Sequence, residues 1–376
     1  MIGPYPVETD KIVGGVAAVT YYLAQGLVKE SDLELHVISS SKLVTEERTV
    51  HHDGMTVHYL AHRKNRLVPN LLRDIVRLRP FLRELAPDIV HSQTAGGAIA
   101  AAQEGLPRIL TIHGIPHREI QFARNVSERW AARLQAWLAR TALNRVDTAI
   151  AISPYVTEAY AEFRHITWHH IHNPIEDRFF AVNGDEVLGK MLFAGVIHQR
   201  KNLPGLVRAF ARVCAENPQA ELYICGKIRE PEIIKEVERF IGEHGLERHV
   251  HILGFVSQEE LARHFAEAAL IGMFSEEETA PMIIAQAMAA CKPSVATAAG
   301  GVPYLMRDGE TGYVVAKGDE KTFADRTVTL LADDELRARM GQRGRELAED
   351  LFRAEAVASR TRAVYEQVLA GKTTAD

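Results

Sequence analysis

Three segments in the second half of this 376-residue chain carry groups suited to holding an anion. The first runs Gly195-Val196-Ile197-His198-Gln199-Arg200-Lys201-Asn202-Leu203-Pro204. Asn202 suits a helix N-cap and Pro204 a first helical turn, so Arg200 and Lys201 stand at the positive end of a helix dipole. Each cation there costs ~0.3–1 kcal/mol, a sign that a bound anion reverses. The alternative reading is a solvated basic loop. The second segment, Ala298-Ala299-Gly300-Gly301-Val302-Pro303, pairs two glycines that let backbone N–H groups approach an anion; alone, such a pair is equally a plain turn. The third, Ser275-Glu276-Glu277-Glu278-Thr279-Ala280-Pro281, reads mostly as acidic capping of the next helix. One of its glutamates is left to accept hydrogen bonds from a ligand hydroxyl.

In the first half, His113 follows an apolar run at 109–112. Its ordinary pKa suits proton handling or hydrogen bonding, although a lone histidine is more often structural. His51, His52, His165, His169 and His170 show no metal-ligand spacing and read as surface or packing residues. The chain has no G-x-x-x-x-G-K-[ST] loop, no G-x-G-x-x-G fingerprint and no Asp-x-Asp pair. A P-loop NTPase, a dinucleotide dehydrogenase and the simplest divalent-metal clamp are therefore disfavoured.

The elements that must position these groups are two series of short apolar strands alternating with amphipathic helices, the pattern of parallel α/β layers. Strands are expected at 33–38, 55–60, 88–92, 108–112 and 148–152, then at 191–195, 221–226, 250–254, 270–274, 294–297 and 312–315. Helices are expected at 205–215, 282–290, 335–347 and 354–369, before a frayed polar tail. The turn-rich stretch His172-Asn173-Pro174-Ile175-Glu176-Asp177 marks the boundary. The expected domains are 1–176, joined by a closing helix at 354–370, and 177–353. Only Met1 and Ile2 precede Gly3-Pro4, where a strand of roughly five residues is expected. That places the start of the natural chain upstream, with Met1 inside the first strand.

A formal charge of −5 argues against a nucleic-acid binder. Three scattered cysteines, Cys214, Cys225 and Cys291, read as buried thiols of a reducing, cytoplasmic protein. No apolar run approaches the roughly 20 residues of a membrane span. Arg63-Lys64-Asn65-Arg66, a series at Arg73, Arg77, Arg79 and Arg83, and another at Arg124, Arg129, Arg133 and Arg140 give the first half basic surfaces. These suit peripheral contact with anionic lipid or an anionic acceptor, or simply solvated helix faces.

The order and spacing of these motifs resemble the retaining glycosyltransferases of family 4 (group 1). The resemblance runs from Gly14-Gly15 through Pro87-Asp88-Ile89-Val90-His91, Thr111-Ile112-His113-Gly114, Ala151-Ile152-Ser153 and Asn173-Pro174-Ile175. It continues through Arg200-Lys201-Asn202, Glu278 to Met288, Gly300-Gly301-Val302-Pro303 and Asp308-Gly309-Glu310-Thr311-Gly312. It implies a GT-B fold, two Rossmann-like parallel-sheet domains facing a central cleft. The C-terminal domain then binds a nucleotide-diphosphate sugar, and the N-terminal domain a glycan or lipid-linked acceptor.

By that resemblance Lys201 contacts the diphosphate, Glu278 the donor-sugar hydroxyls, and His113 lies beside the reacting sugar. Gly14, Gly15, Arg200, Ala280, Met282, Gln286, Gly300, Gly301 and Val302 join the donor site, and no metal is required. The chain departs from the family at Val196, where an arginine is usual, and at Gln286, eight residues after Glu278, where a second glutamate is usual. Arg200 or His198 is the candidate to replace the missing cation. Cys291 stands where glycine is usual and Tyr304 where glutamate is. Each loss is expected to weaken donor binding by about 1–2 kcal/mol, so the alternative is a degraded, non-catalytic paralogue acting as a binding or regulatory partner.

Overall fold

The computed structural model describes all residues except 9–11, 13, 31, 42–43, 45, 62–69 and 374–376; at 41, 70, 71, 73, 372 and 373 it describes backbone only. The chain divides into two units, Met1–Pro174 with Ala354–Asp376, and Ile175–Arg353. Arg63-Lys64-Asn65-Arg66 and the end of the polar tail lie outside the described residues.

In the first unit the strands are β1 (His36–Ser41), β2 (Arg48–His52), β3 (Met55–Ala61), β4 (Val90–Ser92), β5 (Arg108–Ile112), β6 (Thr148–Ala151) and β7 (Thr167–His170). They run in the orders β1-β3-β2 and β4-β5-β6-β7. All pairs are parallel except β2 with β3. Ile2 stands between the two sets, bridging Ile38 of β1 and Ser92 of β4. Its N–H donates to the His91 carbonyl at 2.9 Å and its carbonyl accepts from Gln93 N–H at 2.7 Å. The expected first strand is thus present as a single bridging residue.

β2 and β7 were not expected from the apolar pattern. Every residue of β2 is exposed, so it carries no burial signal. Its hairpin signal is the turn Asp53-Gly54, both at positive φ, the pairing that a two-residue hairpin favours. β1 also starts later than the expected 33–38 and ends in serines.

The second unit holds β8 (Lys190–Ala194), β9 (Glu221–Cys225), β10 (Val250–Gly254), β11 (Leu270–Met273), β12 (Ser294–Thr297) and β13 (Gly312–Val315). All pairings are parallel, in the order β10-β9-β8-β11-β12-β13. β11 and β12 are buried along their whole length, as strands covered on both faces must be. The helix Leu203–Glu216 buries Leu203, Leu206, Val207, Phe210 and Val213, an i, i+3, i+4, i+7 stripe. These pack with Met191, Leu222 and Ile224 of the sheet. Truncating a fully buried phenylalanine such as Phe210 costs about 3–5 kcal/mol.

The closing helix, Ala354–Thr373, belongs to the first unit. It places Val357, Ala358, Val364 and Tyr365 in the core shared with Leu23, Ala24 and Leu27 of the helix Gly15–Val28. Cys225 is buried and Cys214 half-buried, and burial pushes both thiols up to about 11. Cys291 differs from its expected burial: it is exposed, at φ 55° just beyond the helix Met282–Ala289. That left-handed backbone is where a glycine would be unstrained.

Candidate functional site

Strand order reverses between β8 and β11: β9 and β10 lie on one side, β12 and β13 on the other. At such a switch point the loops leaving the two central strands diverge and open a crevice at their carboxyl ends. The loop after β8 holds the expected basic segment, and the loop after β11 the acidic one.

These two loops are tied together at three points. Lys201 Nζ donates to Glu278 Oε1 at 2.6 Å, with 12% and 6% of the two side chains exposed. Asn202 Nδ2 donates to Glu276 Oε1 at 2.6 Å, and Glu276 N–H donates to the Arg200 carbonyl at 2.8 Å. Asn202 also caps the helix Leu203–Glu216, accepting from Gly205 N–H at 3.1 Å, from a left-handed backbone at φ 45°. Behind the first loop, a Cβ on Gly226 would stand 1.8 Å from the Gly195 carbonyl oxygen. Only glycine permits that approach.

The acidic segment is therefore not a helix cap. The helix Met282–Ala289 starts at Pro281 with no side-chain cap and no acidic residue in its first turn. Ser275, Glu277, Glu278 and Thr279 are buried instead. Burial pushes the Glu278 pKa up, but the charges of Lys201 and Arg200 outweigh it and hold the carboxyl below its usual range. Glu278 is an anion at neutral pH. His198 does not replace the cation missing at Val196. Burial, then Arg200 and Lys201, lower its pKa to about 4, so it is neutral. The second positive charge felt by Glu278 is that of Arg200.

The Gly300-Gly301 turn holds fewer amides in reserve than expected. Gly301 N–H donates to the Glu278 carbonyl at 2.7 Å and Val302 N–H to the Ala299 carbonyl at 3.1 Å. The helix Val302–Leu305 that follows has only four residues. Gly300, at φ 52°, is the residue of the three whose amide makes no hydrogen bond among the described residues. The turn's main work is to anchor Glu278. On the helix Met282–Ala289, Met282 and Gln286 are half-buried while the other residues are buried. Spaced i, i+4, they share one face, and Ala280 is half-buried just before them.

In the first unit His113 lines a cavity of about 470 Å³ with Gly3, Val16, Gln93, Leu110 and Leu138. Asp74 is the one charged side chain among the described residues lining it. His113 Nε2 lies 2.6 Å from Gln93 Oε1. A carboxamide oxygen only accepts, so Nε2 carries the proton. Gln93 Nε2 in turn lies 3.1 Å from His91 Nε2, and His91 Nδ1 lies 2.6 Å from the Tyr365 hydroxyl. Burial lowers the pKa of His113 to about 4 and that of His91 to about 3. His113 is thus a neutral hydrogen-bonding group at physiological pH, not a proton shuttle near its own pKa. Gln93, at the carboxyl end of β4, was not singled out from sequence; its position at a strand end was the available signal.

Gly14, at φ 100°, precedes the helix Gly15–Val28, whose first turn has no side-chain cap and no acidic residue. A positive φ there requires glycine or a strained substitute. Arg77 pairs with Glu47, and Arg79 and Arg83 with Glu104. These three arginines are ion-paired, against two carboxylates, and the Arg73 side chain lies outside the described residues.

Comparison with known proteins gives this geometry a family. The model of the glycosyl transferases group 1 matches residues 175–347, and that of glycosyltransferase family 4 matches residues 13–179. An N-acetyl-alpha-D-glucosaminyl L-malate synthase of Bacillus anthracis is 33% identical over 169 residues, 45% of this chain and 43% of that protein. The match thus spans less than half of that relative. An uncharacterized glycosyltransferase of Methanocaldococcus jannaschii is 22% identical over 94% of this chain and 95% of its own. The solved structure of Anabaena HepE in complex with UDP and glucose superposes with a TM-score of 0.73 at 18% identity, covering 97% of this chain and 98% of that one. Such neighbours establish the GT-B fold, and the two family models together take in nearly the whole sequence. This chain belongs to the family 4 (group 1) glycosyltransferases.

Proposed function

We propose that the chain is a retaining, metal-independent glycosyltransferase that moves a hexose from a nucleotide-diphosphate sugar to a glycan or lipid-linked acceptor. The observation that carries this reading is the Lys201–Glu278 pair at the β8/β11 switch point. An ammonium and a carboxylate fixed side by side match a donor that presents an anionic diphosphate next to a polyhydroxyl ring. Lys201 Nζ has three N–H donors, so holding Glu278 leaves donors for phosphate oxygens. Glu278, kept ionised, accepts from sugar hydroxyls, and charge-assisted bonds of this kind are roughly twice as strong as neutral ones.

In the proposed step the anomeric C–O bond breaks and its electron pair leaves on the diphosphate. Lys201 and Arg200 stabilise that growing charge in a fixed, partly dry site, the role a divalent metal would otherwise fill. The acceptor oxygen bonds to the anomeric carbon on the face the phosphate is leaving, and its proton passes to the departing phosphate. Glu278 is not a nucleophile in this scheme, because its Lys201 contact holds it as a hydrogen-bond acceptor. Neutral His113 orients a hydroxyl by hydrogen bonding. UDP-linked donors come first for testing, since HepE was solved with UDP and glucose.

We place the enzyme in the cytoplasm, at the inner face of the membrane that supplies a lipid-linked acceptor. Among the described residues no helix is long and apolar enough to cross a membrane. A second reading, a paralogue without turnover, is favoured by the neutral Gln286, by Val196 and by the engaged amides of Gly301 and Val302. The two are separated by incubating the protein with UDP-, GDP- and ADP-sugars and an alkyl glycoside acceptor, with and without EDTA. A product with the donor's anomeric configuration, formed equally in EDTA, supports the transferase; an inverted product or loss of activity in EDTA refutes the mechanism. No release of nucleoside diphosphate from any donor supports the paralogue.

A further inference from the structure

The helix Val126–Leu143 has two faces with different duties. Inward, it puts Gln135, Leu138 and Ala139 into the wall of the first unit's cavity. Outward, Val126, Trp130 and Trp137 are 69%, 65% and 56% exposed. Positions 126, 130, 133 and 137 follow a four-three-four spacing and form one stripe along the helix. Arg133 lies in that stripe with its guanidinium 5.7 Å from the Trp130 ring centroid. Arg129 is exposed beside it. Arg124 and Arg140 pair with Glu128 and Glu162. Among the described residues neither Arg129 nor Arg133 has a carboxylate partner.

We propose that this stripe docks the enzyme on an anionic lipid bilayer. Single exposed apolar residues are ordinary, but two tryptophans aligned on one helix face with unpaired arginines are not. Seven residues separate the indoles, about 10 Å along the axis, so both can enter one flat surface together. Indole carries an apolar body and an N–H, the combination that settles at the headgroup boundary. Arginine stems lie along the apolar layer while their guanidinium groups meet lipid phosphates. A second copy of this chain is a poorer occupant, because a two-fold contact sets this stripe against itself and the stripe holds no carboxylate for Arg129 or Arg133. The proposal rests on the reading of a lipid-linked acceptor: the same helix that touches the bilayer lines the cavity that would take the acceptor.

The test is flotation of the full chain with phosphatidylcholine vesicles, with and without phosphatidylglycerol. Tryptophan emission and turnover with a water-soluble acceptor are read on the same samples. Expected are binding to the anionic vesicles only, with a blue-shifted emission, and binding at least tenfold weaker in W130S/W137S. The R129E/R133E variant should also bind at least tenfold weaker. Both variants should keep turnover in solution, since none of these residues lies in the donor site or lines the cavity. The proposal is overturned if the wild type ignores anionic vesicles or if both variants bind as the wild type does. It is equally overturned if the wild type is a dimer that W130S/W137S makes monomeric. Turnover in solution tests the transferase reading separately from these outcomes.

Discussion

Lys201 Nζ and Glu278 Oε1 lie 2.6 Å apart although 77 residues separate them in sequence. Two loops from adjacent parallel strands are needed to bring them together. A buried pair of this kind contributes little net stability while intact, but removing one member strands the other's charge, at a cost of about 3–5 kcal/mol. Lys201→Ala should therefore lower the urea midpoint and weaken UDP binding at least tenfold. Lys201→Arg should restore part of the stability but not the geometry. An unfolding curve for Lys201→Ala that overlays the wild type would mean the pair is not held as described.

In the proposed donor site Arg200 supplies a positive charge beside Glu278, and Gln286 is a neutral carboxamide. Arg200→Ala should weaken nucleotide-diphosphate binding about tenfold, the ordinary effect of losing one charge-assisted contact. Gln286→Glu should tighten nucleotide-sugar binding severalfold by restoring charge assistance. Calorimetry decides both. Unchanged or weaker binding by Gln286→Glu would show that the carboxamide is adapted to a different donor.

In the proposed reaction Gln93 positions His113. It fixes the proton of His113 on Nε2 through a 2.6 Å hydrogen bond. Gln93→Leu should lower kcat about tenfold while leaving the affinity for nucleoside diphosphate within twofold. Gln93→Glu should instead raise the His113 pKa, which NMR titration of the imidazole would report. A kcat unchanged by Gln93→Leu would remove the tautomer from the mechanism.

Acid should destabilise the first unit in a defined window. His113 has its folded pKa lowered from 6.5 to about 4 by burial, and His91 to about 3. Below 6.5 the unfolded chain binds protons that the folded chain does not, so stability is full above that pH and falls as pH falls toward 4. In the second unit Glu278 adds a later loss of the same sign: its depressed pKa stabilises above the unfolded value of 4.5 and is lost below it. Differential scanning calorimetry should show Tm dropping from pH 7 to pH 5, with a smaller drop in His113→Asn. A Tm that rises or stays level over that range would contradict the neutral, buried histidines.

The apolar runs made the α/β class legible because β5, β8, β11 and β12 are buried over most or all of their length and are mainly apolar in sequence. β2 was not legible by that route, since all five of its residues are exposed. Lys201, Glu278 and Asn202 were visible as residue types after strands; their mutual clasp was not, because strand order rather than sequence order makes β8 and β11 neighbours. The burial of Glu277, Glu278 and Thr279 is hidden in sequence for the same reason: a loop packed under a glycine turn reads like an acidic helix start. Gln93 escaped notice because a carboxamide carries no charge signal, and its role exists only through His91 and His113.

Titration calorimetry of the wild type and Lys201→Ala with UDP-, GDP- and ADP-linked sugars tests the nucleotide-sugar site most directly. Expected is saturable binding of at least one nucleotide sugar by the wild type, weakened at least tenfold in Lys201→Ala. Binding of none of them, or equal binding by both proteins, would contradict a donor site built on Lys201 and Glu278.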